Sequence, residues 1–203
     1  PGKLIGGVPG TGPAHIVVVG GGTVGFNAAL MAKSLGAAVT ILDINLHRLR
    51  YISLATHDEM ETLVATPQNL SDVLSRADVA VGAVLVPGAR APKVITSAMV
   101  KQMHEGSIII DVAIDQGGSV EGIRLTSHRE PTYSDEGVTH YAVPNMPGIV
   151  GNTTSISLSN ATYPYVLKLA NEGLHDAIHN SSAISKGVNT LEGHVTYEAV
   201  ADA

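Results

Sequence analysis

The sequence predicts an α/β chain: a doubly wound parallel sheet followed by a helical C-terminal segment. Three observations carry that expectation. Short apolar runs such as Ile16-Val17-Val18-Val19 and Ile108-Ile109-Ile110 recur, and their lack of polar alternation fits strands buried on both faces. Helix-length segments separate these runs, the order expected of a parallel sheet. A glycine cluster, Gly20-Gly21-Gly22-Thr23-Val24-Gly25, follows the first run at once and opens a helical pattern.

His15 to Val19 reads as the first strand. Phe26 to Leu35 reads as a helix with Gly36 as its C-cap, and Ala38 to Leu42 as a second strand closed by Asp43. Leu46 to Ser53 is a short helix and Thr62 to Ala65 a short strand. Asn69 is the expected cap of a helix running through Arg76. Val79 to Leu85 is a buried strand ending at Pro87-Gly88, Thr96 to Met103 a helix stopped by Gly106, and Ser107 to Val112 another buried strand. Gln116-Gly117-Gly118 makes a turn, and His140 to Val143 is a last strand, ending at Pro144-Asn145-Met146-Pro147. Near residue 150 the character changes. Thr153 to Glu172 reads as a long helix interrupted near Pro164 and stopped by Gly173, and Leu174 to His179 as a second helical piece. The expected division is therefore 1–150 and 151–203, the latter too short for a core of its own. The start at Pro1, in a Gly/Pro-rich connector, suggests a piece of a longer protein.

Composition narrows the function classes. Hydrophobic residues make up 44% and charged residues 15%, which supports a buried core and argues against disorder. A net charge of −6 with no basic cluster makes nucleic acid and anionic membrane poor partners. No apolar run approaches the roughly 20 residues of a membrane helix. With no Cys there is no thiol nucleophile, disulfide framework or cysteine–zinc site. His175 and His179 share a helix face, but no third ligand accompanies them, so no metal site is expected. Asp58, Glu59 and Glu61 read as a solvated acidic face. Neither G-x-S-x-G nor a P-loop is present.

Gly20, Gly22 and Gly25 fit G-x-G-x-x-G, the spacing of a dinucleotide-binding turn. The first glycine permits a tight turn, the second admits a pyrophosphate close to the backbone, and the third lets helix and strand pack closely. The helix N-terminus then offers N–H groups and a positive dipole end to the phosphates. Asp43 lies 18 residues after Gly25. That is close to the roughly 20 expected for the carboxylate that holds the ribose. A carboxylate there repels a 2′-phosphate and favours NAD over NADP, although His47 and Arg48 leave cations nearby. The expected fold is thus a Rossmann-type NAD-binding domain. Ligands should gather at the carboxyl ends of its strands, where Asp115 and Asn145 offer polar groups. Each is also a common turn former.

Three strings carry a wider resemblance: Ala83 to Lys93 (AVLVPGARAPK), Asp111 to Gly118 (DVAIDQGG) and Asn145-Met146-Pro147. Together with Asn160-Ala161-Thr162, Pro164-Tyr165 and His194 to Val200, they resemble the alanine dehydrogenases over nearly the whole chain. The proton-translocating transhydrogenases share the layout but match less well at Asp115 to Gly118. The resemblance implies reversible, NAD-dependent oxidative deamination of L-alanine to pyruvate and ammonium, in a cytoplasmic homohexamer. It implies that residues 151–203 belong to the substrate domain. It also implies that the substrate-binding Arg and Lys and the catalytic His lie in an N-terminal portion outside this chain, leaving the chain inactive alone. None of the nine His is therefore assigned that role.

By the same resemblance, Gly20, Gly22, Thr23 and Gly25 form the pyrophosphate turn, Asp43 holds the adenine ribose with Arg48 beside it, and Val84 and Leu85 line the adenine side. Val112, Ala113, Ile114 and Asp115, with Val143, Pro144, Asn145 and Met146, approach the nicotinamide and its ribose. Arg124 matches a further cofactor-contacting position, and Asp115 the family's acidic active-site residue. Two positions depart from the pattern: Ala65 stands where relatives often have Ser, and Pro144 where Ala is usual. A carboxylate at Asp115 would stabilise cationic character at an iminium carbon or orient water. Two other readings remain at this level: the NAD(H)-binding subunit of a transhydrogenase, and a non-catalytic NAD-binding module.

Overall fold

The computed structural model describes residues 2–201. Strand β1 (His15–Val19) lies inside a seven-stranded sheet. Its Val17 and Val19 enter the core on one face and its Ile16 and Val18 on the other, so the run has no solvent side to mark with polar residues. Helix α1 (Thr23–Ser34) starts at the glycine turn itself, ahead of the expected Phe26. Strand β2 (Ala38–Asp43) includes Asp43 as its last residue. Asn45 caps α2 (Leu46–Ala55), its side chain accepting from the N–H groups of His47 and Arg48.

Beyond β3 (Glu61–Val64), α3 (Pro67–Leu74) is capped by Thr66 and not by Asn69. The Thr66 hydroxyl accepts the Asn69 N–H at 3.1 Å. Pro67 sits in the first turn, where its lack of an N–H costs nothing. Strand β4 (Val79–Gly82) ends at Gly82 and not at Leu85. Helix α4 (Ser97–Val100) is a single turn capped by Thr96, shorter than the expected Thr96 to Met103. Strand β5 (Ile108–Asp111) leads into a 3-10 helix at Val112–Gln116.

Strand β6 (Thr132–Asp135) was not expected from sequence, and β7 (Val138–Tyr141) starts earlier than His140. The two form an antiparallel hairpin whose turn residues, Glu136 and Gly137, have φ of 49° and 76°. Two left-handed residues suit the twist of a tight hairpin, but Glu is an unusual occupant, so the turn carried no sequence signal. The sheet order is β3-β2-β1-β4-β5-β7-β6, parallel except for β6. The order reverses between β1 and β4, which makes a crevice at their carboxyl ends.

The described chain divides into two compact units between Pro144 and Asn145. Residues 145–150 thus group with the helical segment. In the second unit a 3-10 turn (Met146–Val150) leads into α5 (Gly151–Asn180). The backbone stays helical through Pro164 and breaks at Gly173, with φ 76° and ψ 170°. Helix α6 (Ser182–Lys186), a small hairpin of β8 (Thr190–Leu191) and β9 (His194–Val195), and α7 (Glu198–Ala201) follow.

His140 of β7 is buried, stacks flat on Tyr133 of β6 at 4.9 Å between ring centres, and has no hydrogen-bond partner on either ring nitrogen. Burial lowers its pKa, against the raising effect of the Asp135 carboxylate; Arg124 lowers it further and Asp111 raises it. The pKa of His15 is likewise lowered, chiefly by burial. The unfolded chain therefore takes up these protons first as pH falls. Their contribution to stability is complete above the ordinary histidine pKa of about 6.5 and is lost as pH drops below it. The urea midpoint should fall through that window. His140→Phe, which keeps the flat ring, should make the dependence shallower while His15 maintains the remainder.

Candidate functional site

The glycine turn sits at the carboxyl end of β1, beside the end of β4. Gly20 has φ 103°, and a Cβ there would lie 2.6 Å from the Ala83 carbonyl oxygen. A Cβ on Gly25 would collide with the Gly20 carbonyl oxygen and reach Val18 at 3.0 Å. The first and third glycines are thus demanded by the protein itself. Gly22 differs, because a Cβ there would meet nothing within 4 Å. Gly22 is also the N-cap of α1 and supplies no side-chain cap, so the first N–H groups of that helix have no side-chain acceptor at the cap.

Asp43 holds the turn from inside. One carboxylate oxygen accepts the Gly21 N–H at 2.7 Å and the other the Asn45 N–H at 2.8 Å. Arg48 holds the other end of the same residue: its Nε–H donates to the Gly21 carbonyl, and a terminal nitrogen reaches the Gly22 carbonyl at 3.4 Å. Its guanidinium also lies 5.2 Å from the Phe26 ring centre and 4.9 Å from that of Tyr51. The sequence left Arg48 open as a partner for a 2′-phosphate. In the fold its donors are directed at main-chain carbonyls.

A cavity of about 540 Å³ opens in front of the turn. Of the predicted residues, Gly20, Gly22, Thr23, Asp43, Val84 and Leu85 line it, and so does Ala65. Ile44, Val86, Pro92 and Val94 are among its further apolar lining residues. Ile44 follows the strand-end acid, Val86 continues the run of Val84 and Leu85 after β4, and Pro92 and Val94 lie further along the same connection.

The remaining predicted residues lie elsewhere. Asp115 is exposed on the 3-10 helix at Val112–Gln116 and does not line this cavity. Ala113, Ile114 and Val143 are buried. Val112 packs against the core beside α1. Arg124 borders a separate hollow with Thr126 and Tyr133, its guanidinium 4.1 Å from the Tyr133 ring centre. Pro144 is half-buried at the end of the first unit, while Asn145, in the left-handed region at φ 50°, and Met146 belong to the second. Asp111, passed over in the sequence, is a fully buried carboxylate accepting the N–H groups of Ala113, Ser119 and Val120. Burial raises its pKa against those donors. Among the described residues no group of three His, Cys, Asp or Glu is placed to hold a metal ion.

A reversed strand order, a glycine turn at the reversal and an acid ending the next strand define the architecture of a Rossmann-type domain. The sequence matches the family described as "Alanine dehydrogenase/PNT, C-terminal domain" over residues 1–198, and the chain belongs to that family. It is 52% identical to an alanine dehydrogenase of Methanococcus maripaludis, covering all of this chain and 54% of that protein. It is 51% identical to one from Bacillus subtilis, covering 98% of this chain and 53% of that protein. A solved L-alanine dehydrogenase superimposes with a TM-score of 0.88 at 47% identity, covering 99% of this chain and 55% of that one. A transhydrogenase from Sinorhizobium meliloti shares the fold, with a TM-score of 0.67 at 23% identity, covering 92% of this chain and 50% of that one. The chain spans about half the length of the curated relatives it matches.

The glycines predict unequal outcomes. Gly25→Ala forces backbone apart and should lower unfolding free energy by about 1–3 kcal/mol. Gly22→Ala, facing open space, should leave the urea midpoint unchanged.

Proposed function

We propose that this chain is the NAD-holding part of an alanine dehydrogenase, acting with the remainder of a longer protein in the reversible oxidative deamination of L-alanine to pyruvate and ammonium. The observation that carries this reading is the open space at Gly22, next to a helix start without a side-chain cap and within a cavity that also displays Asp43. Those groups fit NAD. The α1 N–H groups, with Gly22 and Thr23, suit a pyrophosphate. Asp43 suits a ribose diol, and its charge disfavours a 2′-phosphate. Val84, Leu85 and Val86 give an apolar wall for adenine.

Bound NAD supplies a hydride acceptor. On this reading Asp115 is the catalytic carboxylate, orienting water or stabilising positive charge at the substrate carbon. It cannot hold the substrate carboxylate, which needs a cation. By resemblance, Val112, Ala113, Ile114, Val143, Pro144, Asn145, Met146 and Arg124 belong to the nicotinamide side. Identity near one half to alanine dehydrogenases, against 23% to the transhydrogenase, favours amine oxidation over transfer between dinucleotides. A cytoplasmic homohexamer rests on the resemblance. The exposed Ile156, Leu158, Tyr163 and Val166 of α5 support burial of that helix in an assembly. Among the described residues no helix is long and apolar enough to cross a membrane.

Titration of the chain with NADH should give a saturable fluorescence change. Asp43→Ala and Gly22→Ala should each weaken it by about tenfold or more. A folded sample silent to millimolar NADH would overturn the reading. In the complete protein, Asp115→Asn should reduce kcat for alanine by about 100-fold or more with NADH affinity almost unchanged; equal losses would assign Asp115 to binding.

A further inference from the structure

The segment carrying Asp115 is fastened on its inner side by Asp111. The buried carboxylate accepts the N–H of Ala113 at 3.0 Å, of Ser119 at 2.7 Å and of Val120 at 3.0 Å. These bonds fix both ends of the segment 112–120 but leave its outer bend, Gln116-Gly117-Gly118, to other partners. The bend ends the 3-10 helix at Gly117, in the left-handed region with φ 89°. The bend thus lies at the negative end of that short helix.

Lys93 meets the bend. Its ammonium donates to the Gly117 carbonyl at 2.5 Å and to the Gly118 carbonyl at 2.8 Å. The main chain on either side of Lys93 is laced to the same segment: Ala91 N–H donates to the Gln116 carbonyl at 2.9 Å, and Val94 N–H to the Ser119 carbonyl at 2.9 Å. The immediate neighbours of Lys93, Pro92 and Val94, line the cavity in front of the glycine turn. One stretch of chain therefore forms a wall of that cavity and grips the bend beside Asp115.

We propose that Lys93 is a positioning residue for Asp115: its ammonium, shared between the Gly117 and Gly118 carbonyls, sets where the Asp115 carboxylate stands relative to the cofactor cavity. This rests on the reading of Asp115 as the catalytic carboxylate. Lys93 is exposed and adds nothing to the core, so its removal releases the bend without unpacking the sheet. Displacing a reacting group by about 1 Å can cost about 100-fold in rate.

The test is a cycle in the complete protein, comparing Lys93→Met, Lys93→Arg, Asp115→Asn and the Lys93→Met/Asp115→Asn double variant. Lys93→Met should lower kcat for alanine by about 10- to 100-fold. NADH affinity should stay within about twofold, and Lys93→Arg, which keeps the donors, should recover most of the rate. In the Asp115→Asn background, Lys93→Met should cost almost nothing more, because it acts through a carboxylate already removed. The same loss in both backgrounds, a parallel fall in NADH affinity, or an unchanged rate would each overturn the proposal. Amide exchange gives a readout independent of turnover. Peptides spanning 112–119 should exchange faster in Lys93→Met and normally in Lys93→Arg, with β1 and β4 unaffected. Faster exchange throughout the sheet would instead assign Lys93 to general stability. Failure of the wild type to bind NADH or oxidise alanine would count against the functional reading. Exchange at 112–119 would still decide whether Lys93 fixes the bend.

Discussion

Gly21 is gripped at both of its polar groups, its N–H by the Asp43 carboxylate and its carbonyl by the Arg48 guanidinium. A turn this rich in glycine has more backbone freedom to lose than any other kind. Two charged side chains from the next strand and helix remove that freedom, joining β1, β2 and α2 at one residue. The close approaches at Gly20 and Gly25 then follow, because helix α1 can sit against β1 only while the turn keeps this course. The cavity, its acid and the bare helix start are consequences of that arrangement. Asp43 thus serves the fold before any ligand arrives, and its position at the cavity edge is inherited from that duty.

Much of this was legible in the residues. β1 was plain because both of its faces are buried, and a short uninterrupted apolar run between polar flanks suits a central strand of a parallel sheet. Gly20, Gly22 and Gly25 could be read because spacing, preceding strand and following helix agreed. What could not be read were features set by tertiary partners. β6 is an edge strand with three of its four residues exposed, so it shows no apolar run, and its turn uses Glu136 where Asn would have announced it. The cap of α3 is a local exception: Pro67 suits the first helical position and so points to Thr66, where the sequence reading expected Asn69. Arg48 and Lys93 both direct charge onto main-chain carbonyls, and no sequence motif records a carbonyl as a partner.

The second unit shows a different balance. Along the thirty residues of α5 only Ala177 is buried, while Ile156, Leu158, Tyr163, Tyr165 and Val166 face outward. An isolated helix gains little from such residues, since most helical stability in proteins comes from packing an apolar face. The chain covers just over half the length of the alanine dehydrogenases it matches.

The sheet's two margins also matter for how the molecule behaves in a crowded solution. At one margin β3 begins with Glu61, and at the other β6 ends in Asp135 beside Glu136. Unpaired strand margins invite foreign strands to add on, and charged groups at both margins, Glu61 beside Arg76 and Glu136 paired with Lys101 at 3.1 Å, would have to be desolvated for each such docking. The charged hairpin tip that hid β6 from view in the sequence therefore also makes that margin a costly place for strand-by-strand addition.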